Sequence, residues 1–189
     1  ENNMEILRDK AIMLRVRNPK QITTAIPNSK ELPMNKVVVK WGLDEVLSLR
    51  SLNINVPSPI TKRYSWPGQY TPFDHQKDTA SFMTLNKKSF CFNEQGTGKT
   101  ASAIWAADYL MTQGKVKRVL VVCPLSIMDS AWRNDLFSFA MHRTVDVAHG
   151  SKQKRKKIIN SGAEFVIINY DGVEVVRDEI AAGGFDLFI

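Results

Sequence analysis

Apolar and polar positions follow two different rhythms along the chain. Near the amino terminus, residues 5–8 (EILR) and 12–17 (IMLRVR) carry the partly alternating pattern of strands. Residues Lys36 to Trp41 (KVVVKW) predict another strand. Leu43 to Leu52 predicts a short helix, because Leu43, Val46 and Leu47 recur at one face and Asp44 and Glu45 occupy the first turn. Pro57, Pro59, Pro67 and Pro72 then punctuate a stretch that no regular helix spans, so Asn53 to Thr71 reads as a connector.

From about Pro72 helices and apolar strands alternate. Helices are predicted over Asp78–Leu85, Lys99–Gln113, Asp129–Ala140, Lys152–Asn160 and Gly172–Ala181. Strands are predicted over Ser89–Asn93, Arg118–Cys123, Val145–Ala148, Glu164–Asn169 and Phe185–Ile189. The runs RVLVVC and EFVIIN are continuously apolar, as in a sheet buried on both faces. Strand and helix in alternation predict an α/β fold with a parallel sheet and helices on both faces, preceded by a small α+β domain. The division falls at residues 1–66, a small accessory domain with its connector, and 67–189, the α/β lobe. The chain stops inside the apolar run FDLFI, with no following turn, and so reads as a piece of a longer protein.

Composition sharpens this picture modestly. A chain of 189 residues with 43% hydrophobic content suffices for a real core and argues against disorder. No apolar run approaches the roughly 18 residues that cross a membrane, and the charged amino terminus is no secretory signal. Cys91 and Cys123 lie in apolar stretches and read as core thiols, which points to a reducing, cytoplasmic compartment. The net charge is +7; residues 1–66 hold 11 basic and 6 acidic side chains, and residues 67–189 hold 15 and 13. Such an excess attracts polyanions without specifying one.

The strongest chemical signal is residues 89–100 (SFCFNEQGTGKT), a predicted strand running into a glycine-containing turn and then a helix. Gly96 and Gly98 allow a backbone that brings amide groups close to a phosphate. Glu94, Gln95 and Thr97 complete the loop. The helix that begins near Lys99 adds free N–H groups and the positive end of its dipole. Lys99 can reach β- and γ-phosphate oxygens, and the Thr100 hydroxyl can ligate Mg²⁺. The general pattern has a glycine where this chain has Asn93.

With these residues in view, the chain resembles the first RecA-like lobe of a superfamily two helicase, nearest the Swi/Snf-type DNA translocases and their phage relatives. The likeness covers about Pro72 to Ile189. Residues 94–100 (EQGTGKT) match motif I, and 72–76 (PFDHQ) resemble the upstream segment whose glutamine, here Gln76, reads the adenine edge. Residues 121–126 (VVCPLS) with Trp132 resemble motif Ia, and 166–170 (VIINY) resemble motif Ib. Phe185–Ile189 is the kind of strand that precedes the acidic motif II. The resemblance implies ATP and Mg²⁺ as ligands, nucleic acid as partner (double-stranded DNA in particular), a second RecA-like lobe of the same parent chain, and for a phage-encoded protein the host cytoplasm as its place of action.

The individual residues support those roles to different degrees. A glutamine amide both donates and accepts, so Gln76 suits adenine N6 and N7 together. Tyr70, Phe73 or His75 could stack on the base, or serve as core and connector residues. Ser126 sits at the carboxyl end of a buried strand, where it is either a helix N-cap or a contact to a nucleic-acid phosphate. Asn169 and Tyr170 end the next buried strand on the same edge, as backbone contacts or structural residues. Trp132 reads as a packing residue. Lys152–Lys157 (KQKRKK) reads as a solvated helix face rather than a nucleic-acid patch. His142 and His149 have no visible partners. Two rival classes remain: another phosphate-loop protein such as a small kinase or GTP switch, although no Asn-Lys-x-Asp guanine motif occurs, and a non-catalytic nucleic-acid-binding module using Arg8, Lys10, Arg15 and Arg17.

Overall fold

A computed structural model describes residues 3–86 and 99–189. The chain divides into two compact units, Glu1–Tyr64 and Ser65–Ile189.

The first unit is built on one antiparallel sheet. Its strands are β1 (Met4–Leu7), β2 (Ala11–Arg15), β3 (Lys30–Leu32) and β4 (Lys36–Lys40), in the spatial order β1-β2-β4-β3. The period-two pattern sorts the sheet into two faces. Ile12, Leu14, Val37 and Val39 are buried, whereas Arg15 and Lys40 face outward. Hairpin turns are set by backbone at positive φ, at Arg8 and Asp9 after β1 and at Met34 and Asn35 after β3. Helix α1 (Pro19–Ala25) buries Ile22, and α2 (Leu43–Ser51) buries Leu43, Val46 and Leu49.

Two elements here escape the hydrophobic pattern. Strand β3 (sequence KEL) has every residue exposed, so no alternation marks it. Helix α1 is only seven residues long; Pro19 at its first position is compatible with a helix start, where the missing N–H costs nothing. The predicted connector is also partly packed structure. Val56, Ser58 and Ile60 are buried, a short helix α3 spans Ile60–Arg63, Trp41 Nε1 donates to the Pro57 carbonyl at 2.9 Å, and Arg63 Nη1 donates to the Trp41 carbonyl at 2.8 Å. Its prolines exclude long helix but not a fixed path.

The second unit carries a parallel sheet. Strands β5 (Val119–Cys123), β6 (Val145–Ala148), β7 (Phe165–Asn169) and β8 (Leu187–Phe188) lie in the order β6-β7-β5-β8. All described pairs are parallel, with Cys123 beside Asn169 and Ala148 beside Ile168. On one face Leu120, Ala148, Val166 and Ile168 meet Ile159 of α7 (Lys152–Ile159) and Val176, with Val173 of α8 (Tyr170–Val175) and Ile180 of α9 (Arg177–Ala182) closing the layer. Val119, Val121, Phe165 and Ile167 point the other way and are also buried, as the continuous apolar runs require. Helices α4 (Asp74–Leu85), α5 (Lys99–Thr112) and α6 (Asn134–Ala140) complete the unit, with α5 packed between α4 and α6. Residues Ala101–Leu110 of α5 are all buried, so that helix is enclosed on every side, with Ser102 and Asp108 as its buried polar positions. The fold is therefore the expected α/β class, with a small antiparallel sheet preceding it.

Three predicted elements change form. Helix α4 starts at Asp74 rather than Asp78, because Gln76 Oε1 accepts the Phe73 N–H at 2.9 Å and closes the first turn. The predicted helix Asp129–Ala140 begins as a 3₁₀ turn at Leu125–Ile127, continues as a π turn at Met128–Arg133 and becomes α only at Asn134. The wider turn buries both Met128 and Trp132. The predicted helix Gly172–Ala181 starts at Tyr170 and breaks at Val176 (φ −123°, ψ 32°), which drives that valine fully into the core. The predicted strand Ser89–Asn93, with Cys91, lies outside the described residues.

Candidate nucleotide and nucleic-acid site

Lys99 and Thr100 open the fourteen-residue α5, and both are half-buried. The first turn of that helix contains no carboxylate, so nothing there opposes an anion. Glu94, Gln95, Gly96, Thr97 and Gly98 lie outside the described residues.

One turn below Lys99, the Ser102 hydroxyl donates to the Gln76 carbonyl at 3.1 Å. This bond joins the amino-terminal ends of α4 and α5 across 26 residues of sequence. Gln76 is half-buried. Its Oε1 already accepts from Phe73, and an amide oxygen has a second lone pair to offer. Phe73 is 67% exposed and stacks on His75, with centroids 5.6 Å apart and planes 8° apart. Tyr70 is 60% exposed and tilts against Phe139 at 5.9 Å.

The approach to these residues is held by aromatic packing. Trp105 of α5 donates its Nε1–H to the Pro67 carbonyl at 2.9 Å. Trp66 and Phe139 each meet Trp105 edge-on, at 5.4 and 5.1 Å. At Gly68 (φ +111°) a Cβ would come within 2.3 Å of the Ser138 carbonyl, so the chain passes α6 at a distance only glycine permits.

The second group of candidates lies on the carboxyl edge of the parallel sheet. Ser126 is exposed after β5, and Tyr170 is 61% exposed after β7. Asn169 is different: it is buried at 7% exposure, and its Oδ1 has no hydrogen-bond partner. The three are expected on the same sheet edge; the structure puts Ser126 and Tyr170 at the surface and Asn169 beneath it. Trp132 is buried at 4% exposure, as its packing role requires.

Two features escaped the sequence reading. His142 does have a partner: its Nε2 lies 2.7 Å from Asp108 Oδ1, and Asp108 is buried in α5. Arg143 Nε donates to the same oxygen at 2.6 Å and its Nη1 to Glu164 at 2.8 Å. Nothing in the spacing of these residues announces a cluster that tertiary packing assembles. Arg155, inside the basic run, is buried at 8% exposure rather than solvated. The signal for it was present: position 155 falls four residues before the buried Ile159, on the same helix face. Cys123 is buried, and burial pushes its thiol up to about 11, so it is inert at neutral pH.

A model of the SNF2-related domain matches residues 75–188. The chain belongs to the SNF2-related domain family. The match runs from α4 to β8 and so places the second unit in that family. A protein named p41 from Acyrthosiphon pisum secondary endosymbiont phage 1 is 26% identical over 108 residues, which are 55% of this chain and 24% of p41. The Sulfolobus solfataricus SWI2/SNF2 ATPase core, solved in complex with dsDNA, is 22% identical, with a TM-score of 0.48 over 56% of this chain and 23% of that one. The chain thus spans about a quarter of the length of these relatives. The SNF2-related lobe has no helix, among the described residues, long and apolar enough to cross a membrane, and no cluster of metal-ligating side chains is present among them.

Proposed function

We propose that the lobe binds ATP at the amino end of α5 and serves a motor that moves along nucleic acid, with double-stranded DNA as the preferred track. The observation that carries this reading is the Ser102–Gln76 bond, which holds the glutamine beside the start of the helix bearing Lys99 and Thr100. Gln76 reads the adenine edge, with Phe73 or Tyr70 against the base. The amides of residues 94–98 and the first turn of α5 receive the phosphates. Phosphoryl transfer to water needs positioning and charge neutralisation more than covalent chemistry. The Lys99 ammonium neutralises the β- and γ-phosphate oxygens and holds them in line for attack. The donor chemistry fits a magnesium ion: the Thr100 hydroxyl, in the first turn of α5, is an oxygen ligand of the kind that ion takes. When bound, Mg²⁺ would supply further charge neutralisation there. Ser126, Asn169 and Tyr170 belong to the nucleic-acid edge.

An acidic motif and a second RecA-like lobe, both supplied from outside these 189 residues, complete the reading. The isolated chain is accordingly expected to bind nucleotide weakly and to hydrolyse little. The test is ATP turnover with and without DNA. The full-length protein should show DNA-stimulated hydrolysis, and Lys99→Ala should remove it with loss of nucleotide affinity. Unchanged affinity in Lys99→Ala, or a motor-like turnover rate from the isolated 189 residues, would overturn the reading. Competition by GTP as strong as by ATP would favour the other phosphate-loop classes.

A second role is supported for the first unit, as a nucleic-acid arm. Arg15 and Lys36 are direct cross-strand partners on the outward face of its sheet, a like-charge pairing that is unfavourable in the free protein.

A further inference from the structure

Among the described residues, two buried side-chain atoms have no hydrogen-bond partner, Arg155 Nε and Asn169 Oδ1. They belong to one place. A Cβ on Gly172 would lie 2.6 Å from Arg155 Nη1 and 2.7 Å from Asn169 Oδ1, so both side chains rest on the same glycine. Arg155 forms no ion pair among the described residues; its neighbour Lys156 takes Glu179 instead. The guanidinium is thus a buried charge with no carboxylate partner among the described residues.

The surroundings carry the same sign. Helix α7 is capped by Ser151, whose hydroxyl oxygen accepts the Lys154 N–H at 3.2 Å. Its first turn holds exposed Lys152 and Lys154 and no acidic residue, the reverse of what the helix dipole favours. Three residues separate the helix from β6, and Ala148 of β6 pairs with Ile168 of β7. The start of α7 and the Asn169–Gly172 turn therefore share the carboxyl edge of adjacent strands, where open parallel sheets place ligands. Exposed Tyr170 stands on that edge.

We propose that Arg155 is the buried anchor of a phosphate subsite at the β6–α7 and β7–α8 junctions, with Lys152 and Lys154 at its rim, and that the subsite takes a backbone phosphate of nucleic acid. A phosphate oxygen draws the Nη groups toward the edge, and Nε–H turns onto Asn169 Oδ1, so both orphaned atoms are satisfied when the ligand is present. Gly172 keeps the space in which that movement occurs. The inference rests on the nucleic-acid reading above and adds Arg155 and Gly172 to it.

The test uses the full-length protein, a short DNA duplex and sodium sulfate, with Arg155→Met, Arg155→Lys and Lys157→Met compared with wild type. Lys157 is an exposed charge on the same helix and controls for general attraction. Arg155→Met should lower the logarithmic salt slope of duplex affinity by about one, beyond any change in Lys157→Met. Arg155→Lys should keep most of the slope. Without ligand, Arg155→Met should melt at or above the wild-type temperature, because it removes an unpaired buried charge. Sulfate should raise the melting temperature of wild type and not of Arg155→Met. A slope equal to that of Lys157→Met overturns the proposal. So does an Arg155→Met protein that melts lower or fails to fold, since the arginine is then a structural tie. Sulfate stabilisation through Arg155 with no change in DNA slope overturns the nucleic-acid source in favour of a free anion. If the wild type shows DNA-stimulated ATP turnover while Arg155→Met behaves like the control, only the subsite falls; a wild type that binds no DNA removes both.

Discussion

Asp108 shows how a single buried carboxylate organises the amino-terminal edge of the parallel sheet. It sits in the buried stretch Ala101–Leu110 of α5, where an unpaired charge is costly. Arg143 resolves this by bonding Asp108 with Nε and Glu164 with Nη1, which ties the helix to the segments entering β6 and β7. Glu164 Oε1 also accepts the Thr144 N–H at 3.1 Å, and the Thr144 hydroxyl oxygen accepts the Glu164 N–H at 2.9 Å. Partial burial pushes the Glu164 carboxyl up. The bonds from Thr144 and Arg143 outweigh it, and the group lies below the usual carboxylate range. A carboxylate depressed in the folded state contributes stability above its unfolded value, about 4.3, and loses that contribution as pH falls through the folded value. Glu164→Gln should therefore melt below wild type at pH 7, by of order 1 kcal/mol in stability. The gap should hold down to about pH 5 and close on further acidification. Thermal melts of both proteins across pH 3–7 check this; a gap independent of pH would mean that the charge contributes nothing.

Segments rather than single groups position the residues proposed to bind nucleotide. Tyr70, Phe73 and Gln76 hang from a strap that crosses α5 and α6 through Trp66, Pro67 and Gly68. Gly68→Ala combines a strained positive φ with a backbone clash against the Ser138 carbonyl. It should cost about 1–3 kcal/mol of stability and should raise KM for ATP more than it lowers kcat, because it displaces Gln76 without touching Lys99. Melting temperature and steady-state kinetics of the full-length protein check both parts. The same strap shows why the sequence was legible only in places. Elements with long apolar runs, such as β5, β7 and α5, were readable because burial on all sides leaves a continuous hydrophobic signature. The phosphate-loop reading of residues 93–98 rests on their local order alone, since those residues lie outside the described ones. β3 has no buried residue, α1 is too short to show a period, and the π turn at Met128–Arg133 cannot be told from α helix over six positions. The Asp108–Arg143–Glu164 cluster and the Arg155–Asn169–Gly172 contact were not legible. Their members are 35, 21, 14 and 3 residues apart or fewer in no chemical pattern, and only the sheet register brings them together.

Charge is distributed unevenly between the two units, and this bears on the proposed nucleic-acid role of the first one. Residues 1–66 carry 11 basic against 6 acidic side chains, whereas residues 67–189 are nearly balanced, with 15 against 13. In the first unit the basic residues are not scattered. Register places Arg15 opposite Lys36, and Lys30 and Lys40 flank Val38 and Ala11 on the same outward face. Like charges directly across a ladder repel, so the face is less stable empty than covered by a polyanion. The double variant Arg15→Gln/Lys36→Gln should be slightly more stable than wild type, within about 0.5 kcal/mol. Each lost phosphate contact should reduce the salt slope of DNA binding by about one. ATP turnover at saturating DNA should keep its wild-type kcat, because neither residue belongs to the nucleotide site. A DNA titration of turnover separates the two effects: the midpoint moves to higher DNA and the plateau does not. A midpoint that stays in place while the variant remains folded would show that the first unit does not grip nucleic acid through this sheet.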